Sequence, residues 1–293
     1  MIVGFANPFS GIAHMLGHPF LRYAFLAGTG IALASGLVGY FVVLRGQVFT
    51  GDALSHVAFT GALAALAFGI DVRAGLYGAC VVFAVLMAAL GARARADDTV
   101  VGSVFAWVLG LGALFLTVYT TSSSGVNATT GVNVLFGSIF GLSFAGALTD
   151  ALLALAVAVA VVVVARPLLF ASVDEAVASA RGVPTRTLGF GFLILVGVTA
   201  GEASQAVGAL LLLGLLAAPA GAAQQLTARP FRALWLSAGI AVLSVWIGLS
   251  IAYAAPQVPP SFGILAVATA CYVLAAATAT GRRLVTSPGR ART

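Results

Sequence analysis

Asp52 and His56 stand four residues apart in the run Gly51-Asp52-Ala53-Leu54-Ser55-His56. On an α-helix that spacing sets both side chains on one face, about one turn apart, so a carboxylate and an imidazole can close on a single ion. Both are donor types that divalent transition metals accept. The neighbouring residues are almost all apolar, and a charged side chain at membrane depth costs at least about 2.5 kcal/mol. An ionisable pair kept in such a place is therefore a candidate site. A second reading needs no ligand: Asp52 caps the start of a helix, held by Thr50 and Gly51, and His56 bonds a backbone carbonyl. Position and spacing leave both readings open.

The elements that must carry the pair follow from composition. Of 293 residues, 61% are hydrophobic and 8% charged, and the mean hydropathy is +1.11. Soluble domains do not reach such values. Apolar stretches of about 20 residues recur along the whole length, each able to cross a hydrocarbon core of about 30 Å. They are rich in Ala, Gly, Leu and Val, as suits helices packing closely through small residues. The short alternating segments of a transmembrane barrel are absent. The fold class expected is all-α, a polytopic membrane bundle of about nine spans lying in the lipid bilayer.

Every one of the 14 basic residues is arginine. A Walker A loop needs its phosphate-binding lysine, so no ordinary P-loop ATPase fits in this chain. ATP, if it drives the protein, is hydrolysed by another subunit. The net charge of +6 is spread as single or paired arginines beside apolar segments, which reads as membrane topology and not as a nucleic-acid surface. Arg45, the cluster Arg93, Arg95, Asp97 and Asp98, then Arg166, Arg229, Arg282 and Arg283 all fall on one side if the N-terminus is outside. By the positive-inside rule that side is the cytoplasm.

The spans expected run from about Arg22 to Leu44, Asp52 to Ile70, Ala74 to Gly91, Val100 to Thr120 and Ala147 to Ala165. A short pair follows, Thr187 to Ala200 and Val207 to Ala223, then Ala233 to Ala254 and Gly263 to Thr280. The segment Val132 to Phe144 is too short to cross and reads as re-entrant or interfacial. Between spans, Ser172 to Pro184 reads as a surface helix capped by Ser172 and closed by Gly182. The turn Gly201-Glu202-Ala203-Ser204-Gln205 is expected at the outer tip of a hairpin, with Glu202 an exposed carboxylate.

Residues 1–20 read as an interfacial segment with His14 and His18 on its wet side, residues 21–283 as the transmembrane unit, and 284–293 as a cytoplasmic tail. No removable signal peptide is expected. His14 and His18 share the helical i, i+4 spacing, but a place beside Phe9, Met15, Leu16 and Phe20 favours an amphipathic role over metal binding. Cys80 and Cys271, each inside an apolar span, read as packing residues.

Several blocks, in order, resemble one known family. Val43-Leu44-Arg45-Gly46 followed by Thr50-Gly51-Asp52-Ala53-Leu54-Ser55-His56 and Gly61 is similar to the signature of the permease subunits of bacterial manganese and zinc ABC importers. Asp98-Thr99 with Gly102, Leu135-Phe136-Gly137-Ser138-Ile139, Asp174-Glu175 through Gly182-Val183-Pro184, and Val207-Gly208 leading to Pro219-Ala220 resemble its later blocks. The resemblance implies a multi-pass protein of the bacterial cytoplasmic membrane working as a homodimer, with cytoplasmic ABC ATPase subunits and an extracytoplasmic metal-binding protein as partners. It implies no cofactor, the zinc or manganese ion being cargo, with Asp52 and His56 coordinating that ion in the path. It also implies an ATPase-coupling surface at Pro219, Ala220, Ala223 and Gln224, with Asp174 and Glu175 nearby. Four positions depart from the family pattern: Gly221 and Ala222 after Pro-Ala, Arg181, and Glu202 at a usually uncharged site.

Two other classes compete. An ATP-independent carrier would set several acids and histidines across the spans, where Asp52 and His56 stand nearly alone. An intramembrane metalloprotease would need a His-Glu-x-x-His run, and there is none.

Overall fold

The computed structural model describes residues 17–91, 98–122, 137, 139–206, 208–209 and 212–286. Helices account for all the regular structure among them: α1 (Pro19–Leu44), α2 (Val48–Phe68), α3 (Val72–Leu90), α4 (Asp98–Ser122), α5 (Phe144–Val173), α6 (Glu175–Ala180), α7 (Thr185–Ala206), α8 (Leu212–Leu226), α9 (Pro230–Ala254) and α10 (Pro260–Thr286), with a 3₁₀ turn at Ile139–Gly141. Eight of these helices are long and apolar enough to cross a bilayer, and α8 is a shorter apolar helix. The nine crossing elements expected are thus eight full spans and one partial one.

Their ends agree with the charge pattern. The end shared by the close of α1 and the start of α2 carries Arg45, and the helix ends on the same side carry Arg166, Arg181, Arg186, Arg229 and Arg232. The opposite ends carry Arg22 and Arg73. The arginine-rich end is cytoplasmic under the positive-inside rule.

Several boundaries differ from the sequence expectation, each for a local reason. Helix α5 does not stop at Arg166-Pro167 but continues through Pro167 to Val173. The carbonyl that Pro167 leaves without a donor belongs to Val163, on the outer face of the bundle, so no packed contact is lost. The surface helix α6 is capped not by Ser172, which lies within α5, but by Asp174, whose carboxylate accepts from the Val177 N–H at 2.9 Å. Gly182, at φ +79°, closes it as expected. Gly201 to Gln205 form no hairpin tip: they are the last full turn of α7. Of the segment Val132 to Phe144, the part that is described holds the 3₁₀ turn, whose Ile139 is buried against Gly28 of α1. His14 and the Arg93, Arg95, Asp97 cluster lie outside the described residues.

Two groups of helices share the work of burial. Helix α1 is the trunk, packed on α5, α9, α8 and α7. Small residues let these backbones meet: a Cβ at Gly36 would stand 2.6 Å from Ala238 Cα of α9, and one at Gly39 would collide with the Leu216 carbonyl of α8. The Ser237 hydroxyl closes the α1–α9 crossing by donating to the Gly36 carbonyl at 2.7 Å. The second group is α2 packed on α3 and α4, with α7 joining the two groups. There Gly61 and Gly75 face each other so closely that a Cβ on either would lie 2.5 or 2.6 Å from the other's carbonyl oxygen.

Candidate functional site

The turn Arg45-Gly46-Gln47 decides where α2 begins. Arg45 ends α1, Gly46 takes φ +66°, a conformation that costs a side-chain-bearing residue, and the Gln47 N–H returns to the Val42 carbonyl at 2.9 Å. Helix α2 then starts at Val48, with Gln47 in the capping position. Asp52 falls in the second turn and is not the N-cap. His56 makes no hydrogen bond to a carbonyl among the described residues.

Around the pair, Thr50, Gly51, Ala53, Leu54, Ser55, Val57, Ala58 and Thr60 are all buried in the chain. Phe49, Asp52, His56 and Phe59 are not, and they recur at the three- and four-residue steps of one helical stripe. The stripe faces out of the bundle. Phe105 of α4 shapes its floor: its ring meets His56 edge-on at 5.1 Å and Phe49 at 5.7 Å between centroids. Neither Asp52 nor His56 has a hydrogen-bond or ion-pair partner among the described residues. By helical rise the two Cα atoms lie roughly 6 and 12 Å above the start of α2. The structure thus sets a free carboxylate and a free imidazole one turn apart on an apolar wall.

Among the described residues the chain supplies no more than these two donors here. Among the described residues no group of three or more His, Cys, Asp or Glu side chains converges. His18, the other described histidine, lies beside Phe20 and Tyr253 at 5.7 and 6.1 Å between ring centroids, far along α1 from this wall. Cys80 is buried, its thiol 3.6 Å from the Leu54 carbonyl, and Cys271 is half-buried; both are free thiols.

The residues matched to the coupling surface fall in two places. Pro219, Ala220 and Ala223 are buried within α8, and Gln224 is half-buried with its amide 3.5 Å from the Tyr40 carbonyl. The exposed part of that corner is Gln225, Leu226 and the turn up to Arg229. Asp174 and Glu175 lie at the start of α6 on the cytoplasmic side, where Glu175, Ala176, Ser179, Thr185 and Arg186 line an open groove of about 500 Å³.

A second polar constellation was missed in the sequence. Glu202, expected as an exposed turn carboxylate, is 0% exposed inside α7, and neither of its oxygens has a hydrogen-bond partner among the described residues. Near it, Arg73 of α3 donates to Thr149 at 2.8 Å and pairs with the buried Asp150 of α5 at 3.5 Å, while the Gln205 amide donates to the Tyr77 hydroxyl at 2.9 Å. The i, i+4 spacing of Arg73 and Tyr77 and the i, i+3 spacing of Glu202 and Gln205 were the available signal. What the sequence lacked was the meeting of the three helices.

Residues 17–279 match the ABC 3 transport family. The chain belongs to this family. It is 27% identical over 264 residues, 89% of this chain and 88% of the relative, to the manganese transport system membrane protein MntC of Halalkalibacterium halodurans. A Haemophilus influenzae protein carrying the name "probable iron transport system membrane protein" is 26% identical, over 84% of this chain and 89% of that one. Among solved structures, PsaBC from Streptococcus pneumoniae in complex with Fab superposes with a TM-score of 0.78 at 22% identity, covering 92% of this chain and 95% of that one. The ABC 3 family chain described here is accordingly a multi-pass permease subunit of the bacterial inner membrane. It is not an ATPase; hydrolysis belongs to a separate subunit, in keeping with the absence of lysine.

Proposed function

We propose that this permease imports a divalent metal ion, manganese or zinc, as one of two copies that enclose a central path. The observation that carries the reading is the stripe of α2, where Asp52 and His56 stand unpaired on an otherwise apolar outward face. Lipid does not cover an unpaired carboxylate without a cost of several kcal/mol, whereas a second copy placed across a two-fold axis covers it with the same stripe. Two copies bring two carboxylates and two imidazoles to one centre, a four-donor set acceptable to Mn²⁺ or Zn²⁺. Two carboxylates also balance the charge of the cargo, which lowers the cost of carrying it through a low-dielectric path.

The rest of the cycle is assigned by position. An extracytoplasmic binding protein delivers the ion at the ends where α2 meets α3 and α7 runs toward α8. Cytoplasmic ATPase subunits dock at α6 and its groove and at the exposed corner after α8. Closure of the ATPase dimer rocks the helices between the two access states. The metal itself is left as a pair, because imidazole and carboxylate serve both ions.

The test is uptake of radiolabelled Mn²⁺ and Zn²⁺ into proteoliposomes containing this chain, its ATPase and its binding protein. ATP-dependent uptake is expected, abolished by Asp52→Ala and by His56→Ala with the complex still assembled. Uptake by the chain alone, driven by a pH gradient, would assign it to the carrier class instead.

A further inference from the structure

The outer end of each protomer holds a buried carboxylate that nothing described in the chain satisfies. Glu202 is 0% exposed with both oxygens unpartnered. It projects from α7 on the face of Gln205, whose amide is bonded to the Tyr77 hydroxyl at 2.9 Å. Tyr77 and Arg73 lie one turn apart on α3, and Arg73 reaches Asp150 of α5 at 3.5 Å. Gly201, beside Glu202, packs straight onto the Tyr77 ring, which brings the two helices together at this level. Arg73 and Tyr77 thus tie Asp150 of α5 and the Glu202–Gln205 turn of α7 to one stretch of α3.

The charges in this pocket do not balance. The one guanidinium pairs with Asp150 alone and belongs to the partly exposed Arg73, whose side chain is 37% exposed against 3% for Asp150, while Glu202 has no partner among the described residues. The donors that remain are all oxygens, two carboxylates, a phenol hydroxyl and the carbonyl of a carboxamide, which is the set that hard divalent cations take. The location is a further constraint. All these groups come from the ends of α3, α5 and α7 opposite the arginine-rich side, on the half of the membrane from which an imported ion would enter.

We infer that Asp150 and Glu202, with Tyr77 and Gln205, form a second cation site at the extracytoplasmic end of each protomer, and that Arg73 is its resident counter-ion, displaced when a divalent cation binds. A doubly charged ion between two carboxylates balances what one guanidinium leaves unmet. Arg73, free to turn toward the surface, gives up Asp150 without being stranded in the bundle. The site is complete within one copy of the chain, unlike the path centre, and leads toward it along α7, which packs on α2. It depends on the metal-permease reading only for the choice of cation.

The experiment separates this site from the path. Full-length permease carrying Asp52→Ala and His56→Ala is purified in nanodiscs, and Mn²⁺ binding is read from loss of the free-ion EPR signal. A single bound Mn²⁺ per chain is expected to survive in that background. Adding Glu202→Gln or Asp150→Asn weakens that binding by ~10-fold or more, since ligand charge count sets affinity for such cations. Glu202→Asp, which keeps the charge, retains binding, and Arg73→Ala tightens it by removing the competitor. Mn²⁺ binding unchanged by Glu202→Gln, absent from the double-substituted background, or weakened by Arg73→Ala overturns the assignment. Because Asp52 and His56 are already gone, none of these results depends on the path site. Thermal unfolding of each variant in the absence of metal checks that the bundle is intact.

Discussion

The imidazole of His56 stands edge-on to the ring of Phe105, at 5.1 Å between centroids and 73° between planes. One residue sits on α2 and the other on α4, so the orientation of a metal-ligand candidate is set by a helix that carries no ligand of its own. Phe49 also packs on that ring, at 5.7 Å between centroids, and the three rings make a cluster at the cytoplasmic half of the wall.

Removing the Phe105 ring tests that role. Edge-to-face pairs contribute about 0.5–1.5 kcal/mol beyond area burial, and Phe105→Ala frees both the His56 and Phe49 rings. Metal uptake by the Phe105→Ala complex is expected to show a KM raised by ~3-fold to 10-fold, the equivalent of about 1 kcal/mol, with ATP still required. Phe105→Leu, which restores bulk without ring geometry, is expected to fall between the two. An unaltered KM in Phe105→Ala would show that His56 is oriented by something else.

The two-fold path is tested by cross-linking. With Cys80 and Cys271 replaced by serine or alanine, Phe59→Cys places a thiol on the same stripe as Asp52 and His56. Oxidation is expected to give a covalent dimer, because residues on a self-complementary interface meet their own copies. Val163→Cys, 72% exposed on the outer face of α5, is expected to stay monomeric. The reverse pattern would move the interface off α2.

Glycine contacts predict where bulk is not tolerated. A Cβ on Gly61 would meet the Gly75 carbonyl at 2.5 Å, which is backbone and cannot turn aside. Gly61→Val is expected to cost about 1–3 kcal/mol by overpacking, read as a lower unfolding midpoint in detergent. Gly78→Val, where a Cβ has nothing within 4 Å, is the control and is expected to leave the midpoint within a degree or so of wild type, as exposed substitutions do.

Coupling is probed at the cap of α6. The Asp174 carboxylate holds the Val177 N–H at 2.9 Å, a contact worth ~1 kcal/mol in typical helices. Asp174→Ala is expected to reduce metal-stimulated hydrolysis by the ATPase partner, whereas Asp174→Asn, which preserves a capping oxygen, is expected to retain most of it. Equal loss in both would indicate that the charge, not the helix end, is what the partner reads.

How much of this was visible beforehand follows from the range of each interaction. Asp52 and His56 were legible because a helix makes residues four apart into neighbours without help from the fold. Arg45-Gly46 was legible for the same reason, since a helix end and a positive φ leave a local mark. Glu202 was not. Gly201 to Gln205 carry the polar residues of a turn, and only the arrival of Tyr77 from α3 lets Gln205 bond there and the helix run on. Asp150 hid inside an apolar span because its partner Arg73 lies more than seventy residues earlier in the chain. The Ser172 cap failed by two positions: both residues are good caps, and the register of the long α5 settled which of them would be free to act.

The packing of α1 has one more consequence. Its backbone is pressed against α8 and α9 at positions where not even a methyl group fits, whereas α2 is stitched chiefly to α3 and α4 and meets α1 only sparsely. A machine built this way has a stiff keel and a looser flank, and Asp52 and His56 ride on the flank. Swinging three helices as one paddle would then open or shut the passage while every buried seam of the keel stays closed.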